Sequence, residues 1–237
     1  MRLLLTFSLI CLFAMPALAD KEVYPDVAPP TRDACELESV MFDWDFSEAN
    51  HGFTPVVCDA TGGAPFWAWG ATDIAGAPAA VWGTVLVGNY PNNAGEGLLS
   101  PVFAVTPDSY LMEIYHYVHM ENNFDGGNVK VDDQVILPIN GYTHPIISES
   151  TSYYAFCVDG QPGYSGNGYN GPSQVWLVQC FDLTAFMGQE IQVRFDFGSD
   201  SSVAYPGWYL GYVKIGTDDG TVAMENETWT QIKGIFR

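Results

Sequence analysis

Apolar and polar residues alternate along much of this chain, and the alternation has the period of a pleated strand. Ile191, Val193, Phe195 and Phe197 fall on one face, with Gln192, Arg194 and Asp196 on the other, the signature of a half-buried antiparallel strand. Val40, Phe42, Trp44 and Phe46 alternate with Met41, Asp43 and Asp45 in the same way. Further strands are predicted at 66–70, 81–87, 98–105, 110–120, 129–131, 135–137, 175–182 and 208–215. Pro101 interrupts 98–105, which reads as an edge strand. Asp132-Asp133-Gln134 reads as a hairpin turn. A single helical turn is expected near 183–188, and no long amphipathic helix occurs. About nine to ten strands and no helical layer predict an all-β fold, a two-sheet antiparallel β-sandwich.

The two ends read differently. Residues 1–19 have Arg2, an apolar run over 3–15 and Pro16-Ala17-Leu18-Ala19 before Asp20, which predicts a secretory signal peptide. The run is too short for a membrane span of about 20 residues. Residues 20–34 are Pro-rich and charged, an exposed leader. The sandwich is expected over 35–216. The tail 217–237 places Trp229, Ile232 and Phe236 at helical spacing, as a short docked helix or a loose end. Asn226-Glu227-Thr228 is a formal glycosylation sequon.

Composition narrows the function classes. The formal net charge is −20, one unit more negative once Arg2 is removed. That excludes a nucleic-acid binder, which needs a basic footprint. The expected setting is secreted or extracellular, with periplasm and cell surface as variants, and the chain is not expected to span a membrane. Export permits disulfides. Cys35, Cys58, Cys157 and Cys180 allow three pairings, and the equal spacing of 35–58 and 157–180 favours those two bridges. No C-x-x-C spacing supports zinc.

Ordered motifs extend the picture. Phe42 to Phe46 with His51-Gly52-Phe53, Phe66-Trp67-Ala68-Trp69-Gly70, Trp82-Gly83-Thr84, Leu99-Ser100-Pro101-Val102-Phe103, Glu121 with Asp125-Gly126-Gly127-Asn128-Val129, Phe181-Asp182-Leu183 with Gly188, and Gly207-Trp208-Tyr209 follow one another along 40–216. This series resembles the MAM-like and immune inhibitor A accessory domains of secreted bacterial proteins, also called choice-of-anchor J type. The resemblance implies a jelly-roll sandwich that binds or packs and does not catalyse. Relatives usually carry an Asp pair just after the G-W-Y-x segment, where an acid can help hold a structural calcium. Here those positions are Gly211 and Tyr212.

Other acids could take that part: Asp43 and Asp45 on the first strand, Glu121 and Asp125 around a turn, and Asp200 in a loop. Calcium takes six to eight oxygen ligands, so these five are the candidate calcium set, with a solvated acidic surface as the alternative. His116 and His119 cannot chelate together from a regular strand, because they point to opposite faces. Gly163-Tyr164-Ser165-Gly166 is one residue short of a nucleophile elbow, and no H-E-x-x-H is present. Tyr142, Tyr153, Tyr164 and Tyr169, with Asn167, crowd a long Gly-rich loop. They are the candidate ligand-binding residues, since aromatic faces beside amides suit sugar rings or protein loops; the alternative is that they cover the sheet. The expectation is a non-catalytic recognition or adhesion module that binds an extracellular glycan or a surface protein. The alternatives are a structural subunit of the envelope or matrix and a secreted polysaccharide hydrolase.

Overall fold

A computed structural model describes residues 37–58, 66–145, 147–148, 155–168 and 175–218. The expected signal peptide and leader, most of the tail, the sequon, Cys35, Tyr153 and Tyr169 lie outside the described residues. Thirteen strands are found among the described ones: β1 (Ser39–Asp45), β2 (Thr54–Val56), β3 (Ala68–Gly70), β4 (Val81–Gly83), β5 (Gly95–Leu99), β6 (Phe103–Ala104), β7 (Leu111–His119), β8 (Gly126–Val131), β9 (Gln134–Ile136), β10 (Trp176–Asp182), β11 (Glu190–Ile191), β12 (Val193–Gly198) and β13 (Gly207–Thr217). One 3₁₀ turn, Thr184–Phe186, sits at the expected helical turn.

The pairing is antiparallel throughout. One sheet runs β10-β7-β13-β4-β3, with β1 alongside the second half of β13; the other runs β2-β5-β12-β8-β9, and β6 and β11 form a small separate pair. Consecutive strands cross repeatedly from one sheet to the other, giving a jelly-roll β-sandwich. More strands form than the sequence predicts because Pro101 splits one expected strand into β5 and β6, β11 and β12 are separate, and β2 forms where no strand is expected. The edge-strand expectation for 98–105 is corrected. β5 lies between β2 and β12, and the short β2 covers the side that Pro101 had suggested was open. The hairpin turn at Asp132 and Asp133 holds both residues at positive φ, 49° and 62°, as a two-residue turn matched to strand twist requires.

The core lies between the two sheets. Trp44, Met112, Ile114, Phe181, Trp208, Leu210, Val213 and Ile215 of the first sheet face Leu98, Val129, Val131, Val193, Phe195 and Phe197 of the second. Trp208 is wholly buried at its centre, with ring centroids 5.8 Å from Phe195, 5.8 Å from Tyr164 and 6.0 Å from Trp67. Its indole N–H donates to His116 Nδ1 at 3.1 Å. That leaves the proton of a neutral imidazole on Nε2, and burial lowers the His116 pKa to about 3. The indole reaches across to β8, where a Cβ on Gly127 would stand 2.4 Å from Trp208 Cε3.

The disulfide expectation is also corrected. Cys58 pairs with Cys157 across 99 positions, which rules out both sequence-local bridges; Cys180 is disulfide-bonded as well. The cause is tertiary. β2 pairs Val56 with Gly97 and so carries Cys58 toward Gly95, while the loop holding Phe156 and Cys157 lies against Gly95 and Gly198, where any side chain would collide with Phe156. Lys130, ion-paired to Asp196 at 2.8 Å, donates to the Cys157 carbonyl oxygen, also at 2.8 Å.

Two outcomes test this packing. Gly127→Ala overpacks Trp208 and lowers stability by about 1–3 kcal/mol, measured by urea unfolding. The Cys58→Ser/Cys157→Ser variant loses up to about 4–5 kcal/mol on loop-closure entropy, read as a large fall in melting temperature.

Candidate metal centre

The turn from β7 to β8 carries Glu121 and Asp125, and the loop from β12 to β13 carries Asp200. The sandwich brings them together. One carboxylate oxygen from each of Glu121, Asp125 and Asp200 lies within 4.8 Å of the others, and all three residues are buried. Their placement follows from register. β8 begins at Gly126, paired with Gly198, where β12 ends, so the residues just outside those glycines, Asp125 and Asp200, meet.

Hydrogen bonds fix the arrangement. Asp125 Oδ1 accepts the Asp200 N–H at 2.7 Å and Oδ2 accepts the Tyr90 hydroxyl at 2.5 Å. Tyr90 also accepts the Glu121 N–H at 3.0 Å. Asp200 Oδ1 accepts the Ser202 N–H at 2.8 Å, while Asp200 Oδ2 is buried with no hydrogen-bond partner. The Asn93 N–H donates to the Asp200 carbonyl oxygen at 2.6 Å. Ser165 donates to the Asp125 carbonyl oxygen at 2.6 Å and accepts the Asn123 N–H at 2.9 Å. Four chain segments, near 90, 121–125, 165 and 200, are therefore tied at one junction.

The electrostatics ask for a cation. Burial, then the charges of Asp200 and Glu121, push the Asp125 pKa from 3.8 up to about 7, against the lowering by Tyr90 and the Asp200 N–H. Three carboxylates this close cannot all carry charge out of water cheaply, and a bound cation removes the penalty. The donor set is all oxygen and acidic, which suits a hard ion such as calcium and not a thiolate- or imidazole-preferring metal. The buried, partnerless Asp200 Oδ2 fits that assignment.

The other candidates fall elsewhere. Asp43 and Asp45 face outward on β1; Asp43 lies 3.9 Å from Lys214, and Asp45 accepts the Ser47 N–H at 2.9 Å. Tyr164 is wholly buried beside His116 and Trp208. Tyr142 is half-buried, its hydroxyl accepting the Val129 N–H and donating to the Ile136 carbonyl oxygen. Both tyrosines cover the sheets. Asn167 is half-buried in a turn. His116 points into the core and His119 packs on Tyr205. Tyr90 and Ser165 are the contributors that sequence reasoning missed as such. Neither has a local signal, since both act on residues at least 31 positions away.

No family model matches the chain. Among curated proteins it is similar to bacillopeptidase F of Bacillus subtilis (strain 168), 31% identical over 150 residues, which covers 61% of this chain. The match takes in only 9% of that protein's length. Among solved structures, the K2 cleaved adhesin domain of Lys-gingipain is 15% identical, with a TM-score of 0.39 over 75% of this chain and 98% of that one. The C-terminal CBM6 of LamC, a marine laminarinase from Zobellia galactanivorans, is 13% identical, with a TM-score of 0.30 over 70% and 100%. Both superpositions are loose. No helix among the described residues is long and apolar enough to cross a membrane.

Without a cation the folded state holds the Asp125 proton more tightly than the unfolded chain does. Stability in chelator therefore falls as pH rises from about 4 toward 7, because the unfolded state releases that proton first. Urea unfolding in chelator at pH 5 and pH 7.5 shows this loss, and Asp125→Asn shrinks it.

Proposed function

We propose that this chain is a secreted, non-catalytic recognition module, an accessory β-sandwich of the MAM-like kind, whose loops are fixed by one calcium ion held by Glu121, Asp125 and Asp200. The observation that carries this reading is the convergence of three buried carboxylates at the junction of four segments. Such a junction rigidifies a loop end, and rigid loops on a sandwich are the usual means of presenting a binding surface. The match to 9% of the length of bacillopeptidase F supports an accessory role.

The same geometry disfavours the hydrolase alternative at this cluster. Glycoside hydrolysis needs two carboxyl groups about 5–9.5 Å apart that flank an accessible sugar. These three have oxygens within 4.8 Å and are buried. The hydrogen bonds to the Asp125 and Asp200 carboxylates come from backbone amides and Tyr90, the arrangement of a structural knot.

Calcium titration tests the reading. Calcium at a hundred times its dissociation constant stabilises the fold by about 2.7 kcal/mol, seen as a higher melting midpoint that chelator reverses. Asp200→Asn removes most of that gain. A midpoint indifferent to both calcium and chelator would falsify the metal assignment, and reducing-sugar or peptide release by the pure chain would overturn the non-catalytic reading.

A further inference from the structure

The outer face of the six-stranded sheet carries a row of aromatic rings across three adjacent strands. Trp176 on β10, Tyr115 on β7 and Tyr212 on β13 are each half-buried. Tyr115 stacks on Trp176 with centroids 5.0 Å apart and planes 28° from parallel, and on Tyr212 at 5.3 Å and 19°. Planes in contact sit about 3.5–4 Å apart, so these separations describe rings offset like shingles, each of them half-buried.

The row is held in place. The Trp176 indole N–H donates to the Ala75 carbonyl oxygen at 3.2 Å. The Tyr212 hydroxyl donates to Glu113 Oε1 at 2.7 Å, and Lys214 Nζ lies 4.8 Å from the Tyr212 ring centroid. Gly211 is the extra residue where the pairing of β13 with β7 slips. A Cβ there would stand 2.8 Å from Tyr115 and 3.4 Å from Trp176, so only glycine lets the rings close over the strand.

We propose that this row, Trp176–Tyr115–Tyr212 with Glu113, Lys214 and Asp43 at its rim, is a binding site for a neutral glycan. This rests on the recognition-module reading above. The chemistry of the row is amphipathic along its length. Half-buried rings suit the C–H faces of a sugar ring, and the flanking carboxylates and ammonium suit its hydroxyls. Glu113 and Asp43 outweigh Lys214 by one negative charge, and the chain as a whole carries −20, so a polyanionic glycan is repelled. A protein partner would need an interface of about 800 Å² on each side, and the row is a narrow strip rimmed by charge.

Affinity electrophoresis of the calcium-loaded chain in gels cast with soluble β-1,3-glucan, xylan, galactomannan or a polyuronate tests the site. Retardation by at least one neutral glycan and none by the polyuronate is expected. Trp176→Ala and Tyr212→Ala each weaken it about tenfold, equivalent to ~1.4 kcal/mol, whereas Trp69→Ala, at an exposed tryptophan outside the row, leaves it unchanged. Preserved calcium-dependent melting shows that the variants fold. A variant-free measurement stands beside them: nitration of Tyr115 and Tyr212, read by mass spectrometry on the wild-type chain, falls when the retarding glycan is bound. Retardation that survives both alanine variants, or nitration unaffected by glycan, overturns the site. A chain that binds a surface protein and no neutral glycan also overturns the site while sparing the module reading. Sugar release from any of the gels defeats the reading itself.

Discussion

The contact of Trp208 with the backbone of β8 at Gly127 sets the spacing of the two sheets. An indole is too large to share the gap with a second side chain at that point, and the missing Cβ of Gly127 is what lets the sheets approach. Tyr164, Phe195, Trp67 and His116 then pack around the indole. The consequence reaches the sandwich end. Gly127 lies two residues after Asp125, and Gly198, paired with Gly126, lies two before Asp200. The register of β8 with β12, the strand beside the one this contact packs, carries the two acids toward each other.

That approach has an electrostatic cost, and the surrounding polar groups are arranged to meet only part of it. Tyr90 and the Asp200 amide stabilise Asp125, and the Ser202 amide stabilises one oxygen of Asp200. Burial still dominates at Asp125. A cation bound there would supply what neutral donors cannot, because it would attract all three carboxylates at once, and strongly so in a low-dielectric site. The contrast with Asp196 is instructive. That carboxylate is equally buried, but Lys130 and Arg194 lie at 2.8 Å and 2.6 Å, so its compensation is built into the chain. The two solutions sit on the same strand pair.

Much of the fold is legible in local sequence. The alternation at Ile191–Phe197 and Val40–Phe46 marks β12 and β1, and the positive-φ turn at Asp132-Asp133 is visible as a hairpin signal. The β13 pattern carries its irregularity openly: Trp208 and Leu210 point inward, and so do Val213 and Ile215, which demands a one-residue slip that Gly211 provides. The site is legible in part. Glu121, Asp125 and Asp200 stand in turns and loops where acids invite notice, but nothing local separates them from Asp43 and Asp45, which face outward on β1. Tyr142 and Tyr164 look like loop aromatics and prove to cover the sheets, since a Gly-rich segment can fold back onto the sandwich as readily as extend from it.

What the chain determines on its own is therefore most of the strands, their inward and outward faces, and the inventory of acids, rings and cysteines. These depend on the period of two and on backbone preferences at single residues, which are short-range properties. The partners were decided only by tertiary structure: Cys58 with Cys157, Asp125 with Asp200 and Tyr90, Tyr115 with Trp176 and Tyr212. Each of those contacts joins residues from separate strands or loops, brought close by which strand lies beside which and in what register. Sheet order is a property of the whole packed core, and no local stretch of sequence contains it.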